Sequence, residues 1–269
     1  MTKIDKRCEC VYNNITVFLL KEYTAMIFIT LLRHALSFLS DIIYPPVCCI
    51  CKDISRGTLS EKQSKINLGG KVFSVGLCPD CAASIERSYG PWKRRTSIRN
   101  NTAFYLFNYR DEAVRKLMHH VKTCKCRSCR KFFAKALEEC LDVMLSDGSE
   151  LTYIPRSQTL MKKYGFDQSK CVAEEYVRLH PETKFRQLFI RNEGMFRNTP
   201  QKRLNRKQRL ENAGRSLSLV GNTHFPHNVV LFDDIITTGA TADAASALLE
   251  KENVQNVKLL FLASANLVN

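Results

Sequence analysis

Two adjacent carboxylates carry the chemistry most open to reading in this sequence. Asp233 and Asp234 follow the apolar run N-V-V-L-F and precede I-I-T-T-G-A-T, so that the stretch spans Asn228 to Thr241. The apolar run reads as a strand over 228–232, and an alanine-rich helix begins at Thr241. At the carboxyl end of a parallel strand the sheet opens a crevice where ligands bind. A helix starting just beyond adds unpaired N–H groups and the positive end of its dipole, which together suit a phosphate. Thr237, Thr238, Gly239, Ala240 and Thr241 are therefore candidates to surround a phosphate, with Gly239 supplying the backbone freedom. Asp233 and Asp234 are candidate acceptors for hydroxyl groups. A ligand with a phosphate on one side and a vicinal diol on the other is a ribose 5-phosphate. An isolated D-D pair would equally cap a strand or hold a structural cation. Strand, D-D, hydroxyl-rich turn and helix in that order favour the sugar phosphate. Neither G-x-x-x-x-G-K-[ST] nor G-x-G-x-x-G after a strand occurs.

Cysteine is the second chemical signal, with twelve in the chain. Cys48 and Cys51 form one C-x-x-C knuckle, and Cys78 and Cys81 form another. Such turns aim two thiolates at one cation, and Zn²⁺ takes four ligands tetrahedrally. Two pairs flanked by turn residues favour a structural zinc over a redox dithiol, with Cys49 an alternative to Cys48. A further group, Cys124, Cys126 and Cys129 in T-C-K-C-R-S-C-R, offers three thiols without a certain fourth ligand. Its basic neighbours would lower thiol pKa values. The sequence weighs slightly towards a basic surface turn there, with a metal group as the other reading.

The elements that must hold these residues alternate in type. Strands are expected over 103–109, 151–154, 187–190, 228–232 and 257–263, and helices over 111–122, 130–145, 168–179 and 241–251. Short apolar strands between helices indicate an α/β fold, a parallel sheet covered on both faces. Upstream, Phe28, Leu31, Leu32, Ala35, Leu36, Leu39, Ile42 and Ile43 recur at helical spacing, which predicts an amphipathic helix. Lys21, Glu22, Arg33 and His34 interrupt the apolar stretch, and its longest uncharged run is about half of a ~20-residue membrane span. Membrane contact is expected to be peripheral at most. No small-residue cleavage pattern follows, so no signal peptide is read, and the cysteine usage points to a reducing cytoplasm.

Net charge is formally +15, and it is local. Residues 110–135 hold nine Lys/Arg against two acids, and residues 184–215 hold ten against two. Such segments suit anionic partners such as phosphates, nucleic acid or an acidic protein; they equally suit solvated helix faces. Arg203, Arg206, Lys207 and Arg209 fall on one probable helix, a candidate grip for diphosphate or for a nucleic-acid backbone. No aromatics are interleaved, so base-specific reading is unsupported. The six histidines are scattered and mark no general base.

The stretch V-V-L-F-D-D-I-I-T-T-G-A-T resembles the phosphoribosyl pyrophosphate (PRPP) motif of type I phosphoribosyltransferases. An amphipathic helix, I-I-Y-P-P-V-C-C-I-C, the paired cysteines and then this domain are together similar to the ComF family, competence-associated phosphoribosyltransferase-like proteins. F-N-Y-R-D-E-A-V-R-K-L-M-H-H-V-K, Y-I-P-R-S, K-K-Y-G-F-D-Q-S and T-P-Q-K-R-L-N-R-K-Q-R-L-E-N resemble further segments of that family. Tyr164 departs from it, standing where the loop usually has arginine. The resemblance implies a type I phosphoribosyltransferase-like parallel sheet flanked by helices, with a small N-terminal zinc ribbon. It divides the chain into an extension and amphipathic helix over 1–43, a ribbon over 44–91 and the phosphoribosyltransferase-like domain over 96–269. It implies that Asp233 and Asp234 hold the ribose hydroxyls of PRPP, directly or through Mg²⁺, and that Thr237 to Thr241 hold its 5-phosphate. Arg156, Ser157, Lys162 and Lys163 become candidates for the diphosphate, and Cys48, Cys51, Cys78 and Cys81 become structural Zn²⁺ ligands. The implied chemistry is attack at the anomeric carbon with loss of diphosphate. The implied role is assistance in DNA uptake and transformation or in use of imported DNA. The alternative is a non-catalytic module that binds single-stranded DNA or uptake proteins, its nucleotide site sensory or vestigial.

Overall fold

The computed structural model describes residues 30–32, 48, 50–51, 65–74, 76–98, 101–124, 126–192, 216–221 and 224–265. The chain divides into two compact units, Met1–Val47 with Ile54–Lys62 and Cys48–Asp53 with Gln63–Asn269. In the first, 30–32 are helical, with Leu31 and Leu32 exposed; the rest of the expected amphipathic helix lies outside the described residues. No helix among the described residues is long and apolar enough to cross a membrane.

The second unit opens with a hairpin, β1 (Lys65–Leu68) and β2 (Lys71–Ser74). Leu68 pairs with Lys71, leaving Gly69 and Gly70 as a two-residue turn with φ of +59° and +86°. Two positive φ values match the right-handed twist of the strands, and glycine adopts them without strain. Helix α1 (Pro79–Ser88) follows, started by Pro79 at a position where a missing N–H costs nothing. Next come β3 (Tyr89–Ile98), β4 (Asn101–Asn108), α2 (Glu112–Thr123), α3 (Arg127–Leu145), β5 (Glu150–Tyr153), α4 (Gln158–Tyr164) and α5 (Gln168–Leu179). The chain continues through β6 (Phe189–Arg191), β7 (Leu217–Leu219), β8 (Asn228–Ile236), α6 (Ala240–Lys251) and β9 (Asn256–Ser264).

The main sheet runs β3-β4-β9-β8-β5, parallel throughout except for β3, which pairs antiparallel with β4 at one edge. The class is α/β, with helices on both faces, as the alternation of elements predicts. Its inner strands are apolar at nearly every position because both faces are covered. Val230 and Phe232 of β8 and Leu260 and Leu262 of β9 join the core formed with α2, α3 and α5. Val229, Leu231, Leu259 and Phe261 join the core on the other face, where Ala242, Ala245 and Leu249 of α6 pack. The first core extends without interruption to Ile66, Leu68 and Phe73 of the hairpin and to Leu77 beyond it, and the Phe73 and Phe132 rings meet edge-on at 6.4 Å.

Some expectations shift. The strand expected to stop at Phe232 continues to Ile236, so both aspartates lie within it. The strand expected over 187–190 is β6, which pairs with β7 in a separate two-stranded ribbon and takes no place in the main sheet.

Candidate functional site

Strand alternation explains how two like charges stand side by side. Successive side chains leave a strand on opposite faces, so Asp234 continues the series of Val230 and Phe232 while Asp233 continues that of Leu231. Strand β5 ends at Tyr153 opposite Phe232, one rung short of the pair, which leaves the carboxylates at an open end of the sheet. Each carboxylate first satisfies the backbone beside it: Asp234 N–H donates to Asp233 Oδ1 at 2.8 Å, and Ile235 N–H donates to Asp234 Oδ1 at 2.6 Å.

Helices α2 and α5 then bring partners to both. Lys122, in the last turn of α2, places Nζ 3.0 Å from Asp234 Oδ2. Gln168 Nε2 and Ser169 Oγ, from the first turn of α5, donate to Asp234 Oδ2 at 2.7 Å and to Asp233 Oδ1 at 3.1 Å. Burial opposes the charge on Lys122, but the Asp234 carboxylate outweighs it, and the ammonium titrates above its ordinary value. Asp233 also moves up, which for a carboxyl group favours the neutral form. Burial, and then the Asp234 charge, push it up to about 7. Asp233 thus gives up its proton only near neutrality.

The segment between β5 and α5 orders the rim. Asp167 caps α5 by accepting from Lys170 N–H at 3.1 Å, and accepts from Arg156 N–H at 2.6 Å. Arg156 is buried, and its Nη1 donates to the carbonyls of Lys122 and Phe166 at 3.0 and 3.2 Å. Its guanidinium lies 4.4 Å from the centre of the Tyr164 ring. The Tyr164 ring therefore serves as the surface on which Arg156 rests. Nε of Arg156 and Oε1 of Gln168 are buried with no hydrogen-bond partner. Ser157 starts α4 without capping it, and Lys162 and Lys163 are exposed on that helix, Lys163 Nζ standing 5.0 Å from the Tyr164 ring.

Beyond β8, Thr237 is exposed and Thr238 half-buried, and Thr238 Oγ1 accepts from Ala240 N–H at 3.4 Å. Gly239 has φ +81°, a left-handed conformation that admits glycine without strain. It occupies the N-cap position of α6 and brings no side chain of its own to the first-turn amides, of which Ala240 N–H meets Thr238 Oγ1. Arg203, Arg206, Lys207 and Arg209 lie outside the described residues.

The structure thus places Asp233, Asp234 and the Thr237 to Thr241 turn in one continuous stretch, and it gathers Lys122, Gln168, Ser169 and Asp167 around them. Sequence reasoning assigned none of those four a role. All four do lie in the segments that resembled the ComF family, and that was the signal available. Arg191 was missed as well: its Nε donates to Pro155 O at 2.9 Å, its Nη1 to Ser216 Oγ at 2.8 Å, and burial lowers its pKa against the charges of Asp233 and Asp167.

A second group lies on the ribbon side of the unit. The Sγ atoms of Cys48, Cys51, Cys78 and Cys81 lie within 4.8 Å of one another, those of Cys51 and Cys78 at 3.7 Å. Cys78 occupies the N-cap of α1, and Cys81 lies in its first turn. Burial opposes ionisation of Cys48, but backbone N–H groups of Cys78, Cys51 and Ile50 outweigh it and bring the thiol down to about 7. Four converging thiols can hold a metal ion such as zinc.

No protein-family model matches the sequence, and no curated protein does. Among solved structures, a hypoxanthine phosphoribosyltransferase from Staphylococcus aureus is similar over 52% of this chain and 70% of its own, at 12% identity and a TM-score of 0.29. A likeness of that size leaves the site to be read from its own geometry.

Proposed function

We propose that this chain binds PRPP, or a closely related ribose phosphate, at the carboxyl end of β8, as a protein of phosphoribosyltransferase type. The observation that carries the proposal is the run from Asp233 to α6: a carboxylate pair at an open strand end, a left-handed Gly239, and a helix start whose N-cap residue has no side chain to occupy its amides. Asp233 and Asp234 take the ribose diol, and the turn from Thr237 to Thr241 takes the 5-phosphate. The unpartnered Arg156 Nε and Gln168 Oε1 are polar groups that a ligand in this crevice can satisfy. Lys122, Arg156 and Arg191 supply positive charge beside the aspartates, and Ser157, Lys162 and Lys163 flank the path of the diphosphate.

Mg²⁺ fits the same reading. A carboxyl group pushed up to about 7 by burial and a neighbouring charge gains from a cation. Asp233 and Asp234 are the residues that would hold the cation, directly or through the diol, and it would neutralise charge on the diphosphate. Zn²⁺ fits the four thiols, since Cys48, Cys51, Cys78 and Cys81 would supply all four of its ligands and leave no position for substrate. A part in DNA uptake of the ComF kind is the finer form of the proposal. Its support is the order of amphipathic helix, paired cysteines and sugar-phosphate motif along the chain.

Thermal unfolding with and without PRPP and Mg²⁺ tests the site. A ligand at ~100 times its Kd stabilises by about 2.7 kcal/mol, a rise of several degrees for the wild type. Asp233→Ala/Asp234→Ala is expected to show no rise. Equal rises in both proteins would remove the assignment.

A further inference from the structure

The corner between α2 and α3 gathers three side chains that the reading above leaves unused. His120 stands in the last turn of α2, Cys126 at the N-cap of α3, and Cys129 in the first turn of α3. Their ligand atoms all lie within 4.8 Å of one another. Cys129 is 2% exposed, while His120 and Cys126 are half-buried. We propose that His120, Cys126 and Cys129 form a second zinc-type metal site, which fastens the end of α2 to the start of α3.

The local geometry repeats that of the four-cysteine group. Cys78 is the N-cap of α1 and Cys81 stands three residues later; Cys126 is the N-cap of α3 and Cys129 stands three residues later. In neither helix does the thiol make a capping hydrogen bond. The same C-x-x-C arrangement across a helix start thus occurs twice in one chain, each time with further metal-binding side chains brought to it from another segment. At α1 these are Cys48 and Cys51; at α3 the partner is His120.

The donor set selects the metal. Two thiolates and an imidazole suit Zn²⁺ or an ion of similar softness and exclude Mg²⁺ and Ca²⁺, which take oxygen ligands. Zinc bonds of about 2.3 Å to sulfur and ~2.0 Å to nitrogen hold tetrahedral ligand atoms about 3.5–3.8 Å apart, within reach of the observed cluster by small side-chain rotations. Two thiolates neutralise the charge of the dication. Three protein ligands leave one tetrahedral position; Cys124, exposed at the C-cap of α2, is the next thiol along the chain. The site also shares its helix turn with a partner of Asp234. Lys122, two residues after His120, pairs with Asp234 and accepts the Arg156 hydrogen bond through its carbonyl. A metal here would hold still the helix turn that presents this lysine.

Zinc content of the full chain, purified under reducing conditions, tests the proposal. Two zinc ions per chain are expected, falling to one in Cys126→Ser/Cys129→Ser and to one in Cys78→Ser/Cys81→Ser. His120→Asn removes one ligand at the helix surface and leaves the buried Cys129 in place. It is expected to lose the second zinc to a mild chelator that leaves the wild type loaded, so the proposal stays testable if the double variant does not fold. Cobalt substitution is expected to give thiolate charge-transfer bands in two steps, one of them absent in His120→Asn. A single zinc per chain, retained in Cys126→Ser/Cys129→Ser, would overturn the proposal. So would a Cys126–Cys129 disulfide in protein isolated without reductant.

Discussion

Asp233→Asn separates what the site needs for binding from what it costs in stability. In the folded chain, burial and the Asp234 charge raise Asp233 from 3.8 to about 7. A shift of about 3 units at about 1.4 kcal/mol each caps the cost of the ionised group near ~4 kcal/mol. Asp233 is half-buried, so solvent screening removes about half of that and leaves about 2 kcal/mol. Asparagine keeps the acceptor Oδ1, and with it the bonds from Ser169 Oγ at 3.1 Å and Asp234 N–H at 2.8 Å. Between 3.8 and about 7 the folded chain binds a proton that the unfolded chain has released. Wild-type stability contributed by this group is therefore full below 3.8 and is lost as pH rises through that window. The variant has no such proton. Urea melts at pH 5 and pH 8 are expected to show Asp233→Asn ahead by about 2 kcal/mol at pH 8, or about 4–8 °C in Tm, with the gap narrowing towards acid. A wild type that gains on the variant between pH 5 and pH 8 would refute the reasoning, because the carboxyl would then be stabilised as an anion in the fold.

Lys122→Met leaves Asp234 buried with only Gln168 Nε2 and Ile235 N–H as partners. Breaking a buried pair costs roughly 3–5 kcal/mol; with Lys122 partly exposed and those two donors retained, about 2–3 kcal/mol is expected by urea unfolding. Gly239→Ala forces a side chain into φ +81° and is expected to cost about 1–2 kcal/mol while abolishing stabilisation by PRPP, both read from one thermal melt series. Stripping zinc with excess chelator is expected to remove hydrogen-exchange protection from β1 and β2 while β8 and β9 keep theirs, because Ile66, Leu68 and Phe73 of the hairpin share a core cluster with Cys48, Cys78 and Cys81 and the inner strands lie in the sheet core.

The α/β class was legible because β8 and β9 are buried on both faces and read as unbroken apolar runs, and because α2, α3 and α5 carry apolar stripes at helical spacing. Strand β3 was not legible. It reads Y-G-P-W-K-R-R-T-S-I, with glycine, proline and three basic residues, and a sheet edge tolerates such a sequence while carrying no alternation to find. The continuation of β8 to Ile236 was hidden because two aspartates look like a strand end. In the structure their carboxylates accept the following amides, so the backbone stays extended through them. The turn that begins α6 was readable as a local motif. Lys122, Gln168 and Arg191 reach the crevice from other elements by tertiary folding, and no spacing in the chain announces them. The same holds for His120, which its neighbours in sequence mark only as a helix residue.

The most direct test of the account is a crystal structure of the full chain with PRPP and Mg²⁺. The account predicts the 5-phosphate against the amides of Gly239, Ala240 and Thr241, with the ribose hydroxyls facing Asp233 and Asp234. The sugar phosphate bound elsewhere, or a crevice at the end of β8 filled by the chain's own side chains, would contradict it.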